Sequence, residues 1–449
     1  MAELHELSAN ELVDGIAARQ ISPLEVVRSL LNRSEMFEPH LKAWATLDAD
    51  GALAAARQRE AALQAGEQPG RLFGLPLGIK DIYYTAGLKT SANSPLLADF
   101  VPSEDAGAVA RLREDGAIIL GKTVTTQFAD GDPAATRNPW NSARTPGGSS
   151  SGSAVAVAAR MVPGALGTQT AGSVLRPAGY CGIVGLKPTF GRITRRNVLP
   201  YAWSLDTMGV LTRNVRDAAL LLRALSGYDP LDDGSVDRPI QHVRAAANEP
   251  RPPRLGLVRE YLDRSQPDVR EHLQATARRL ERLGADVREV RFPGDLDLAL
   301  ACHLTIQLAE SADVHAHWHA QQPDAYAPRL RAGIEVGQLV PGVAYVRAQR
   351  GRRRLRRAFD GLLGDLDALL LPTASNVAPD PSTTGDTSFQ AVITMLGLPA
   401  ISLPSGLNAD GLPFSTQLVS RAWNETGLMS AASWCEEVFG PMPAPSLSA

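Results

Sequence analysis

Glycine and serine crowd residues 145–189, "TPGGSSSGSAVAVAARMVPGALGTQTAGSVLRPAGYCGIVGLKPT", around two short apolar runs. Such a stretch lets backbone approach closely, and it offers hydroxyls that become nucleophiles once a neighbouring base takes their proton. The letters "GSSSG" at 148–152 fit the G-x-S-x-G turn, in which a serine, here Ser150, sits between a strand and a helix. That turn requires a strand ahead of it and a histidine base later in the chain. "NPWNSARTPGG" ahead of it reads as loop, and His303, His315, His317 and His319 lie in no supporting motif.

Three other patterns suggest different chemistry. "GAIILGKT" (116–123) spells the phosphate-binding pattern G-x-x-x-x-G-K-[ST], which works only where a strand passes through a loop into a helix. Here the order is reversed. "SEDAGAVARLRED" reads as a helix capped by Ser103, with Glu104 and Asp105 in its first turn; Gly116 stops it, and 117–120 form an apolar strand. "HAHWH" sets His315 and His319 one helical turn apart but offers no third metal ligand and lacks the glutamate of H-E-x-x-H, so these read as polar or pocket-rim histidines. "RAQRGRRRLRRAF" (347–359) carries seven arginines with no interleaved aromatics, only Phe359 at its end. It reads as a solvated helix whose arginines pair with acidic neighbours. Nucleotide or RNA binding through 116–123 or 347–359 is the competing reading from another functional class.

The elements that must hold these residues follow from periodicity. Residues 1–65 read as an N-terminal helical layer: Ser8 caps "SANELVDGIAARQ", Ser22 and Pro23 open "SPLEVVRSLLNRSEMF", and "DGALAAARQREAALQAG" follows. From "GLPLGIKDIYYTAG" onward, short apolar runs alternate with helical segments, as in an α/β sheet, through a core over 66–227. The Pro-, Asp- and Gly-rich stretch 228–254 reads as an exposed connection. A second half, 255–449, then resumes strand, helix, strand, with Val269, Leu273, Leu280 and Leu283 on one helical face. The expected fold is a single α/β domain over 1–449: a large mixed, mostly parallel sheet flanked by helices on both faces.

Composition bounds the partners. A chain that is 44% hydrophobic and 21% charged folds as a globular protein. Forty-five basic against 48 acidic residues, a net charge of −3, give no global pull toward nucleic acid or anionic membrane. The N-terminus lacks a basic region followed by an apolar core, and no run reaches the roughly 18 apolar residues of a membrane span. The expected location is cytoplasmic. Cys181, Cys302 and Cys435 are few and far apart, which suits buried thiols in a reducing compartment.

Lys80 in "GIKD", Ser149 in "PGGSSSGS" and Ser173 in "GTQTAGS", separated by 69 and 24 residues, resemble the corresponding positions of the amidase signature family. The resemblance runs in order through "GLPLGIKD", "GKTVTTQFA", "TRNPWN", "TPGGSSSGS", "GLKPTFGRI", "SLDTMGVLTRNVRDAALLL", "LLLPTA" and "TMLGLPAISLP". It implies the fold of that family and a Ser-cisSer-Lys triad. Ser173 is then the acyl-accepting nucleophile, Ser149 the bridging serine after a cis peptide bond from Gly148, and Lys80 the base. The N–H groups of Thr170, Ala171, Gly172 and Ser173 become the oxyanion hole. A lysine serves as base only when neutral, and Leu75, Leu77, Ile79 and Ile82 around it supply the desolvation that lowers its pKa.

This chain departs from the commoner spelling "GTDTGGS", with Gln169 in place of Asp and Ala171 in place of Gly. Neither change removes an N–H, but both bear on loop packing and substrate preference, so Gln169 is a candidate substrate-binding residue. Arg176, three residues after Ser173 where many relatives have arginine at the second position, either holds a substrate carboxylate or forms a structural ion pair. The implied activity is hydrolysis of small-molecule amides, anilides or carbamates (urethanes) through an acyl-enzyme, without metal or organic cofactor, and with a homodimer admissible. A glutamine-hydrolysing amidotransferase subunit is the alternative within the family.

Overall fold

The computed structural model of the protein describes residues 3–239 and 242–447. The short apolar runs between glycines become strands of one sheet. They are β1 (Trp44–Leu47), β2 (Pro76–Lys80), β3 (Ile118–Thr123), β4 (Gly164–Gln169), β5 (Val184–Lys187), β6 (Thr207–Thr212), β7 (Arg254–Val258), β8 (Asp286–Val290), β9 (Ala368–Pro372), β10 (Ala400–Leu407) and β11 (Pro413–Val419). Their spatial order is β1-β3-β2-β4-β6-β5-β10-β11-β9-β7-β8, flanked by helices. Every residue of β2, β3, β4, β5, β6 and β9 is buried, which is why they read as continuous apolar runs without alternation.

The sheet is mixed, as expected, but it is not mostly parallel. Only β3–β2, β2–β4, β9–β7 and β7–β8 run parallel; the other six neighbouring pairs are antiparallel and occupy the middle of the sheet and the β1 edge. Alternating hydrophobic runs do not record strand direction. The β10–β11 pair is joined by a short turn through Asn408 and Gly411, a connection that only antiparallel neighbours can share.

Several local expectations are met and several are corrected. Ser8 forms a capping box with Glu11, and Ser22 caps the helix that Pro23 opens. The N-terminal layer nevertheless contributes β1 to the sheet. Gly116 ends its helix at φ +91°, where a Cβ would lie 2.9 Å from the Phe73 backbone. That helix starts only at Gly107 with Ala106 as its uncapped entry, so Ser103, Glu104 and Asp105 precede it. Leu283 sits past the end of its helix and is exposed. The 228–254 connection is tied down: buried Asp229 and Asp232 pair with Arg196 and Arg195 at 2.9 and 2.7 Å. Residues 240–241 within it lie outside the described residues. Cys181 and Cys435 are buried, whereas Cys302 is half-buried. Among the described residues no helix is long and apolar enough to cross a membrane.

Candidate active site

Lys80 is the last residue of β2, where parallel neighbours β3 and β4 on either side seal it from water. Its Nζ lies 2.7 Å from Ser149 Oγ and 2.8 Å from Thr168 Oγ1 on β4. All three side chains are buried, and no carboxylate lies within ion-pair distance of Nζ among the described residues. Burial therefore holds the Lys80 pKa well below the ordinary lysine range, opposed only by the more distant charge of Asp206. Ser149 follows a cis peptide bond from Gly148 and stands just ahead of the helix Ser151–Ala158.

Ser173 lies on the loop that leaves β4 and borders the cleft. The Ser150 N–H donates to the Ser173 carbonyl at 3.3 Å, so the two serine-bearing loops are stitched together. All four carbonyls of 170–173 are taken up by the protein. Thr170 O meets His303 Nε2 at 3.1 Å, Ala171 O accepts from Thr394 Oγ1 at 2.7 Å, Gly172 O from the Arg176 N–H at 2.9 Å, and Ser173 O from Ser150. Among the described residues, the N–H groups of Thr170, Ala171, Gly172 and Ser173 donate to no protein acceptor. Free N–H groups beside a hydroxyl are the arrangement that steadies an oxyanion as it forms.

Gln169 does not face the cleft, whereas Arg176 lines it without an ion-pair partner among the described residues. Gln169 is fully buried behind the loop: its Oε1 accepts from the N–H groups of Val174 and Leu175 at 2.9 and 3.0 Å, and its Nε2 donates to Thr394 Oγ1 at 2.9 Å. It shapes the loop and touches no substrate space. Arg176 makes no ion pair among the described residues; it donates to the carbonyls of Gly385 and Gly148 at 2.7 and 2.8 Å and to Thr384 Oγ1 at 3.2 Å. Burial lowers its pKa to about 10, yet it lines the cleft and stays a cation at neutral pH.

The cleft over Ser173 has a volume of about 240 Å³. Its walls carry both charge signs, Arg176 and Arg329 against Asp130 and Asp386, together with the apolar Leu300, Leu304 and Ala391. Behind the loop, Asp206 accepts the Thr170 hydroxyl at 2.5 Å and the N–H groups of Tyr201 and Ala202 at 2.8 and 3.1 Å; burial raises its pKa to about 6. Sequence reasoning missed Thr168, Asp206, His303, Arg329 and Thr394. Thr168 in "GTQTAGS", Asp206 in "SLDTMGVLTRNVRDAALLL" and Thr394 in "TMLGLPAISLP" stood inside motifs that could have flagged them; Arg329 stood in none.

The structure gives three of the competing patterns other roles and corrects the surroundings expected of the fourth. Ser150 follows loop, not strand, and is buried. Lys122 of "GAIILGKT" is buried in β3 and bonded to Asp81 at 3.2 Å, Thr90 Oγ1 at 2.6 Å and Tyr83 O at 2.7 Å, leaving no loop to cradle phosphate. His315 packs against Phe128 and bonds Tyr326, and no metal-holding cluster occurs among the described residues. The arginine run is a helix, Gly342–Leu363, but its arginines form no ion pairs among the described residues; Arg352 bonds Ser204 instead. Helical spacing leaves most of the others exposed to solvent.

A family model described as Amidase matches residues 25–429. A glutamyl-tRNA(Gln) amidotransferase subunit from Geobacter sp. (strain M21) is 35% identical over 470 residues, covering 96% of each chain. The solved peptide amidase of Stenotrophomonas maltophilia superposes with a TM-score of 0.86 at 29% identity, covering 99% of each chain. A chain from the structure described as "An unexpected vestigial protein complex reveals the evolutionary origins of an s-triazine catabolic enzyme" superposes at 0.90 with 29% identity, covering 95% of this chain and 97% of that one.

Proposed function

Because the chain belongs to the amidase signature family, we propose that it hydrolyses a carboxamide C–N bond through an acyl-enzyme on Ser173. The observation that carries this is the buried Lys80 amine, 2.7 Å from Ser149 and without a carboxylate partner. With the amine neutral, its lone pair accepts the Ser149 O–H while one of its N–H groups donates to Thr168. Ser149 passes its own proton to Lys80 and takes the Ser173 proton as Ser173 Oγ attacks the carbonyl, and the N–H groups of 170–173 hold the resulting oxyanion. On collapse the C–N bond breaks and the proton returns through Ser149 to the leaving nitrogen. A water, deprotonated by the same relay, releases the acid and restores Ser173.

For the substrate, glutamine hydrolysis within an amidotransferase assembly is better supported than anilide or carbamate cleavage. The Geobacter relative carries an amidotransferase name, and the similarity extends over nearly its whole length. The cleft's opposed charges also suit an amide bearing both an ammonium and a carboxylate better than an apolar aryl carbamate. On this reading a protein partner uses the released ammonia. The test has two steps. Fluorophosphonate treatment should give one adduct, on Ser173, that is lost in Lys80→Ala; an adduct elsewhere would overturn the mechanism. Ammonia release from L-glutamine, alone and with co-purifying proteins, is then compared with turnover of anilides and carbamates; turnover of those alone would return the stand-alone hydrolase to first place.

A further inference from the structure

In a trans peptide the C=O and the following N–H point in opposite directions, so whatever grips the carbonyl aims the amide. The only cis bond among the described residues is Gly148–Ser149, so each peptide of the 170–173 loop obeys this rule. The grip on Gly172 comes from the backbone N–H of Arg176, and the grip on Ser173 from the backbone N–H of Ser150. The grip on Ala171 comes from Thr394, itself held by Gln169. The carbonyl of Thr170 is held by one side chain, His303, which arrives from the long helix Leu296–Gln321, 133 residues away in sequence.

Resting on the function proposed above, we propose that His303 is a positioning residue: by donating from Nε2 to the Thr170 carbonyl it turns the Thr170–Ala171 peptide so that the Ala171 N–H faces the oxyanion. A carbonyl can only accept, so the contact fixes the Nε2–H tautomer. Burial lowers the imidazole pKa to about 4, so the ring carries a single proton at neutral pH, and that proton is the one on Nε2. The ring is buried and lines the cleft through the same helix that supplies Leu300 and Leu304, so the cleft wall and the oxyanion loop are one mechanical unit. The Thr170 hydroxyl is tied separately to Asp206, which fixes the side chain but leaves the peptide plane free to turn. Without His303 that plane can flip, aiming a carbonyl where an amide is needed.

The test follows the rate at which a fluorophosphonate labels Ser173 in the wild type, His303→Phe and His303→Gln, since labelling builds a tetrahedral centre in the same N–H groups. Losing one such donor costs about 10²-fold. We expect His303→Phe to label about 10²-fold slower and His303→Gln, whose amide can still donate, to recover most of the rate. With a turned-over amide the loss should fall on kcat and spare KM. Equal labelling of wild type and His303→Phe overturns the role of His303 while leaving the proposed reaction intact; a wild type that is not labelled on Ser173 overturns both. If His303→Phe does not fold, the ¹⁵N spectrum of histidine-labelled wild type decides: a neutral Nε2–H ring supports the assignment, and an Nδ1–H or doubly protonated ring at neutral pH overturns it.

Discussion

Two lysines stand on adjacent strands of this sheet, both fully buried, and they do opposite things. Lys80 ends β2 and Lys122 lies on β3; the register pairs Ile79 with Lys122 and Lys80 with Thr123, so the two side chains leave opposite faces. Lys122 meets a carboxylate, Asp81, at 3.2 Å and has its pKa lowered to about 8, by burial first, with Asp81 opposing. Lys80 meets two hydroxyls and no carboxylate, and its pKa falls well below the ordinary range. Burial is common to both, so burial alone does not make a base. What separates them is whether a fixed negative charge waits at the end of the side chain: Asp81 keeps Lys122 an ion that braces the fold, and its absence leaves Lys80 an amine that can accept a proton.

The largest expected effect breaks the Lys80 side. Lys80→Ala should lower kcat/KM by about 10³-fold, within the span usual for a general base, and abolish fluorophosphonate labelling of Ser173, while circular dichroism shows a retained fold. An active Lys80→Ala would remove the contrast. Next comes Lys122→Met, which strands Asp81 in the interior; it should cost about 3 kcal/mol of stability by denaturant titration yet leave Ser173 labelling of the folded protein within a few-fold of wild type. If Lys122→Met silences labelling in protein shown to be folded, the division of labour is wrong.

Two smaller effects sharpen the comparison. Thr168→Val removes the second hydroxyl on Lys80 and should slow turnover about tenfold, the cost of one ordinary hydrogen bond. The pH profile carries the sign. Because the neutral amine is the active form, kcat/KM should climb as pH rises through the depressed Lys80 pKa and then level off. Asp206 favours the charged form of Lys80, so Asp206→Asn should move that rising limb to lower pH. Lys122→Met should leave the limb where it is, and a limb that follows Lys122 would exchange the two assignments.

The Lys122 motif shows how far spelling carries. "GAIILGKT" matches a phosphate loop letter for letter, but the helix-stop at Gly116 and the apolar run after it are legible too, and they point to the strand that the structure contains. The residues proposed as a triad are legible because they sit in ordered motifs spread along the chain. The surroundings of Arg176 and Gln169 are not legible in the sequence, for the opposite reason. Three of their partners, Gly385, Thr384 and Thr394, lie more than 200 residues away, and nothing local announces them. The arginine run fails in the same way, since helical spacing predicts a solvated face but not whether acidic side chains stand across from it.

By itself the sequence determined the local grammar of this protein: most helix starts and stops and which runs are buried strands. These depend on residues a few positions apart, whose conformational preferences act before any long-range contact forms. The tertiary structure alone decided strand direction, which buried lysine meets a carboxylate, and which distant groups hold the carbonyls of Thr170, Ala171, Gly172 and Ser173. Each of these depends on a partner brought in from a distant segment, because a buried polar group takes its character from the atoms it finally touches.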